Sequence, residues 1–212
     1  MTSTATGTGI ARLLAAYRSG ALRPTDVVEQ VLAAPSPDGV WISRAGPDEL
    51  RRRAAELQGK EHLPLYGVPF AVKDNIDVAG TVTTAACPAS GYPAARSAPV
   101  VERLLEAGAI LAGKTNLDQF ATGPTGTRSP FGVPRSVLGG GLIAGGSSSG
   151  PAVAVAAGLV AFALGTDTAG SGRVVSTVDG DDVQGFLCEA GALDITAGGG
   201  WRAHQHTDEE GR

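Results

Sequence analysis

The sequence predicts an α/β fold, and two observations carry the prediction. Short apolar runs at residues 65–73, 109–112 and 159–166 alternate with helical stretches at 100–107 and 151–158. Strands that alternate with helices build a sheet covered by those helices. Glycine, at 31 of 212 residues, is about twice its usual share of ~7%, which implies many tight turns and close backbone approaches.

Three short amphipathic helices open the chain. Ile10, Leu13, Leu14 and Tyr17 have the three-and-four spacing of one helical face. Thr25 is suited to cap a second helix that buries Val27, Val28, Val31 and Leu32. A third runs from about residue 47 to 57, with Pro47 in its first turn. Pro35, Ser36, Pro37 and Gly39 separate the last two. After Pro64 the character changes. Residues 65–73 read as a buried strand that ends at the polar cluster Lys73-Asp74-Asn75. A helix at 100–107 leads into a short buried strand at 109–112. A Gly/Ser-rich segment at 139–150 leads into the helix at 151–158 and the strand at 159–166. From Val174 onward acidic residues and Gly198-Gly199-Gly200 appear without a steady period, and no regular structure is assigned to the end.

Composition narrows the function classes. With 42% apolar and 18% charged residues the chain fits a soluble globular protein, and its length suffices for a real core. A net charge of −4 argues against nucleic acid, which calls for a basic face. Cys87 and Cys188 form no C-x-x-C pair and read as free thiols of a reducing compartment. The first nine residues are small and polar, with no basic-then-apolar leader pattern. The longest uncharged apolar run, residues 152–164, is shorter than the ~18 residues of a membrane span. The expectation is a cytoplasmic protein.

Three motifs compete for the chemistry. Residues 108–115 satisfy G-x-x-x-x-G-K-T, the phosphate-binding loop pattern. That loop must follow a strand and open a helix, whereas here a helix precedes it and its interior, Ala109-Ile110-Leu111-Ala112, is itself strand-like. Gly146-Ser147-Ser148-Ser149-Gly150 matches G-x-S-x-G, the nucleophile elbow. That chemistry needs a later acid and histidine, yet His204 and His206 lie in the polar tail and His62 precedes the serine. The third constellation joins Lys73 at a strand end, residues 145–150 and residues 165–173. A serine nucleophile needs a base, and without a usable histidine a buried lysine serves if it is neutral, because burial disfavours the ammonium form. Serines between the two pass the proton along, and small residues around Ser171 free backbone N–H groups for a developing oxyanion. Each piece alone is ordinary, a turn or a solvated lysine; the three together carry the case.

These residues resemble the amidase signature family. The supporting stretches are residues 64–75, Gly113-Lys114-Thr115-Asn116, 145–150 and 165–173. Within the family the chain most resembles allophanate hydrolases, on residues 71–80, 83–88 and 114–123, with Thr127-Arg128-Ser129-Pro130 and residues 152–158 in support. The resemblance covers about residues 8–173. It implies a mixed β-sheet flanked by helices. It also implies Ser171 as nucleophile, Ser147 after a cis Gly146–Ser147 bond as bridging serine, and Lys73 as general base. Backbone N–H groups of Thr168, Ala169, Gly170 and Ser171 would form the oxyanion hole, with Asp167 organising that loop. No metal or cofactor is implied. The implied reaction is hydrolysis of allophanate, a small-molecule amide, to ammonia and carbon dioxide. The alternatives are another amidase, an amidotransferase A-type subunit, or an inactive fragment. A homodimer is left open; nucleic acid and membrane partners are not expected.

The likeness stops near residue 174, so residues 1–173 are expected to be the N-terminal part of the domain and 174–212 a divergent, disordered or frameshifted tail. Residues 136–144 are more glycine-rich than the family's usual approach to the serine loop. Ala144 stands where serine is common, and Pro124 and Pro151 also depart from the pattern.

Overall fold

A computed structural model describes residues 9–172 and 174–175, together with the backbone of 186–189, 193–194 and 202–203. Its centre is a five-stranded sheet built from Trp41–Arg44 (β1), Pro69–Lys73 (β2), Ile110–Thr115 (β5), Phe162–Thr166 (β6) and Phe186–Glu189 (β7), in the order β1-β5-β2-β6-β7. β1 runs antiparallel to β5, while β5, β2, β6 and β7 are mutually parallel, so the sheet is mixed. Two small antiparallel pairs lie outside it: Val82–Thr83 (β3) with Tyr92–Pro93 (β4), and Leu193–Asp194 (β8) with Arg202–Ala203 (β9).

The helices are α1 (Ile10–Arg18), α2 (Pro24–Ala33), α3 (Pro47–Glu56), α4 (Pro99–Glu106) and α5 (Ser149–Ala156). β2 is the central strand and all five of its residues are buried. Since strand side chains alternate between faces, both faces of the sheet are covered there, and α2 and α5 are among the helices that pack against it. Phe70 and Phe162 lie in register on β2 and β6 and stack with centroids 5.3 Å apart. α5 carries only small and branched apolar residues after Gly150, and Ser149 to Ala154 are all buried. It is a core helix, not a surface one.

The sequence places these elements well and misplaces several ends. α2 begins at Pro24 with Arg23 as its cap, not at Thr25; the Asp26 side chain accepts the Arg23 N–H at 3.0 Å and closes the first turn. Strand β2 starts at Pro69 because residues 65–67 are held as a turn, Leu65 N–H donating to Ala107 O and Gly67 N–H to Gly108 O. β5 runs on through Gly113, Lys114 and Thr115, beyond the expected end at Ala112. Gly113 makes this possible, since a Cβ there would lie 2.4 Å from Ser43 O of β1. α5 starts two residues early at Ser149, and β6 starts late at Phe162. β1 was not legible in four residues of an edge strand with a bulge. In the divergent segment β7 joins the sheet at β6, while most of 176–212 lies outside the described residues.

The stacked pair makes the sheet's interior testable. Phe162→Ala should lower unfolding free energy by about 3–5 kcal/mol, as for other buried aromatics, measured by urea denaturation; a loss under about 1 kcal/mol would contradict the packing described.

Candidate active site

Three parallel strands finish side by side with polar residues. Lys73 ends β2, Thr115 ends β5 in register with it, and Thr166 ends β6. In open α/β sheets ligands bind beyond these carboxyl ends. Lys73 is completely buried. Its Nζ donates to Ser147 Oγ, Ser148 Oγ and Thr166 Oγ1, each at 2.8 Å. Asn75 Nδ2 also donates to Thr166 Oγ1, at 3.1 Å, and Ser148 Oγ donates to Thr166 O at 3.1 Å. With its proton spent on that carbonyl, Ser148 accepts from Lys73. Ser147 keeps a proton that it can turn toward the amine.

The loop that carries Ser147 is shaped by its glycines and by one carboxylate. The Gly146–Ser147 peptide is cis, as the family resemblance implies. A Cβ on Gly146 would fall 2.4 Å from Asp118 Oδ2 and 2.5 Å from Gly126 N, so only glycine fits. Asp118 is fully buried. Its two oxygens accept the N–H groups of Gly126 and Arg128, each at 2.8 Å, and its own N–H donates to Ser147 O at 3.2 Å. One side chain thus ties the turn at 125–128 to the serine loop. Behind it, Gly150 N–H donates to Asn116 O at 3.1 Å, setting the first turn of α5 directly on the chain that leaves β5.

Ser171 lies in the loop after β6 and is partly exposed. Its carbonyl accepts Ser148 N–H at 3.3 Å, which brings it beside the Lys73–Ser147 pair. Gly170 has φ +104° and donates its N–H to Asp167 Oδ1 at 2.6 Å. Gly170 was expected among the oxyanion donors; its N–H is instead held by Asp167, which shapes the loop. The N–H groups of Thr168, Ala169 and Ser171 have no acceptor among the described residues. A pocket of about 560 Å³ opens beside Asn75 and Thr166, with Asp77, Tyr92 and Arg96 in its wall.

The competing motifs separate cleanly. The phosphate-loop pattern is strand β5, with Lys114 buried in an ion pair to Asp74 at 3.0 Å. Residues 144–148, before α5, form no strand, so G-x-S-x-G is not an elbow. His62 is exposed, and His204 and His206 lie outside the described residues. Cys87 is a free thiol; the side chain of Cys188 lies outside the described residues. No three or more His, Cys, Asp or Glu side chains are grouped to hold a metal, and no helix is long and apolar enough to cross a membrane, among the described residues. Sequence reasoning missed the roles of Thr166, Ser148, Asn75 and Asp118, although all four lie in the runs that carry the resemblance.

Residues 33–178 match the family described as Amidase. The chain belongs to the amidase family. The chain is 54% identical over 145 residues to the urea amidolyase of Saccharomyces cerevisiae, a match that covers 67% of the chain and 8% of that protein. It is 48% identical over 128 residues to the mandelamide hydrolase of Pseudomonas putida, covering 58% of the chain and 25% of that enzyme. The structure of the Kluyveromyces lactis allophanate hydrolase is similar with a TM-score of 0.73 at 47% identity, covering 80% of this chain and 29% of that one. The chain therefore spans well under half the length of each of these relatives.

Asp118 offers a direct test of how the serine loop is held. Asp118→Ala leaves two backbone N–H groups without their charged acceptor and should cost about 3 kcal/mol, given ~1.5–3 per hydrogen bond to a charged group. Chemical denaturation measures this, and a change within about 0.5 kcal/mol would show that the carboxylate does not hold the loop.

Proposed function

We propose that this chain carries the acyl-transfer apparatus of an amide hydrolase, with allophanate as substrate. The observation that supports this most is the fully buried Lys73 amine at 2.8 Å from Ser147 Oγ, in a loop hydrogen-bonded to the segment of Ser171. Ser171 is the nucleophile. Neutral Lys73 takes a proton from Ser147 as Ser147 takes one from Ser171, whose oxygen attacks the amide carbonyl. Backbone N–H groups of Thr168, Ala169 and Ser171 meet the oxyanion that forms. As the intermediate collapses, the C–N bond breaks, Ser147 delivers the proton to the leaving nitrogen, and ammonia departs. Water then hydrolyses the acyl-enzyme by the same relay. The allophanate product, a carboxylated carbamate, decomposes to carbon dioxide and ammonia. Burial of Lys73 favours the neutral amine that this chemistry needs.

Allophanate is preferred because of the 47% identity to the Kluyveromyces lactis allophanate hydrolase and the 54% identity to the Saccharomyces cerevisiae urea amidolyase. The second reading, an amidase with a different amide substrate, is favoured by the 48% identity to the mandelamide hydrolase. We take the cytoplasm as its compartment and leave a homodimer open.

Ammonia release from allophanate, glutamine and mandelamide by the purified chain separates these readings. Allophanate should be turned over fastest, and Ser171→Ala and Lys73→Met should each lose at least ~10³-fold in kcat. Turnover that survives Ser171→Ala would sink the mechanism; equal rates on mandelamide would sink the substrate.

A further inference from the structure

Of the 17 cationic side chains of this protein, only Lys60, Lys73 and Lys114 are lysines. Two of these three are buried, Lys73 at 0% exposure and Lys114 at 1%, and they sit on adjacent parallel strands. Arginine is always charged, whereas lysine can give up its proton when buried. The two buried lysines have different surroundings. Lys73 lies among hydroxyls. Lys114 Nζ lies 3.0 Å from Asp74 Oδ1 and donates to Thr83 Oγ1 at 2.9 Å, while Asp74 Oδ2 accepts Thr84 N–H at 2.9 Å and the Thr84 hydroxyl. Asp74 directly follows Lys73 in the chain and is itself fully buried.

Asp74 and Lys73 are consecutive and their side chains face opposite sides of the strand end, yet the field of an unanswered buried carboxylate one residue away favours the ammonium form. Asp74 therefore acts against a neutral Lys73 unless its charge is answered elsewhere. Resting on the reading of Lys73 as base, we propose that Lys114 is a positioning residue that acts through Asp74. By pairing with this carboxylate it lets Lys73 lose its proton while buried, and it anchors the Thr83–Thr84 segment to the end of β2. Carboxylates on the neighbouring segments have partners of their own: Asp77, four residues after Lys73, accepts the Tyr92 hydroxyl at 2.8 Å. Asp118, after β5, holds two backbone N–H groups. Asp167, after β6, holds Gly170 N–H. On α2, Asp26 and Glu29 pair with Arg23 and Arg51 at the surface. α5 brings none.

NMR of the full chain with isotope-labelled lysine tests this without requiring turnover, since three ε-carbon signals report three lysines, assigned by replacing each in turn. In the unaltered chain Lys73 should release its proton well below the ordinary lysine range. In Lys114→Met, Lys73 should hold its proton to higher pH by about one unit or more. In Asp74→Asn/Lys114→Met the Lys73 titration should return toward its original position. An unchanged Lys73 titration in Lys114→Met overturns the inference and leaves the base assignment standing. A Lys73 that is charged through neutral pH in the unaltered chain overturns the base assignment and the inference with it. If Lys114→Met does not fold, Asp74→Asn decides: Lys73 should release its proton at lower pH than before, and no change there overturns the proposal.

Discussion

Lys73 is buried at the carboxyl end of the central strand, with its amine on three hydroxyls supplied by two other segments. Removing a cation from water costs several kcal/mol even after relaxation, so this position is tolerable only where each hydrogen bond is met. That requirement reaches far into the fold. β6 must lie beside β2 so that Thr166 ends next to Lys73, and the serine loop must fold back over the strand ends so that Ser147 and Ser148 arrive together. The hydroxyl shell suits either protonation state of the amine, because a hydroxyl both donates and accepts. A carboxylate in the same place would not.

The supports around this amine are themselves polar and buried. Asp118 ties the serine loop to the turn at 125–128, and Asp74 ties Thr84 and Lys114 to the end of β2. The two carboxylates are satisfied differently. Asp118 is met by backbone N–H groups, which orient without adding positive charge. Asp74 is met by a cation, which cancels its field. Glycine is required where these segments touch backbone to backbone, as at Gly146 against Gly126 and Thr125, and at Gly150 against Asn116. The high glycine content noted in the composition therefore has a specific use: it lets loops approach strand ends closely enough for short side chains to meet.

Lys73, Ser147 and Ser171 all fall within the stretch that matches the amidase family. Within it, burial increases from the loop after β6 inward. Thr168 and Ala169 are exposed, Ser171 is partly exposed, and Ser147 and Lys73 are fully buried. The proposed nucleophile, Ser171, lies at a boundary that a substrate can reach, while the proposed base, Lys73, is buried behind it, where its proton affinity is governed by the protein.

The sequence by itself determined the α/β class and four of the five helices within a residue or two of their ends, and the family resemblance of its motifs pointed to Lys73, Ser147 and Ser171. Those features are written locally, in apolar periodicity and in short glycine- and serine-rich runs. It misplaced the start of α2 because a threonine looked like a better cap than an arginine, whose partner Asp26 lies three residues on. It stopped β5 at the first glycine because the contact that makes Gly113 part of a strand belongs to β1, far away in the chain. Tertiary structure alone decided that Thr166 and Ser148 share the Lys73 amine, that Asp118 clamps the serine loop, and that Lys114 answers Asp74 instead of a phosphate. The Lys73 hydrogen bonds join residues 74 to 93 positions apart. Local patterning records which residues are buried, but strand order and loop packing decide which buried groups meet.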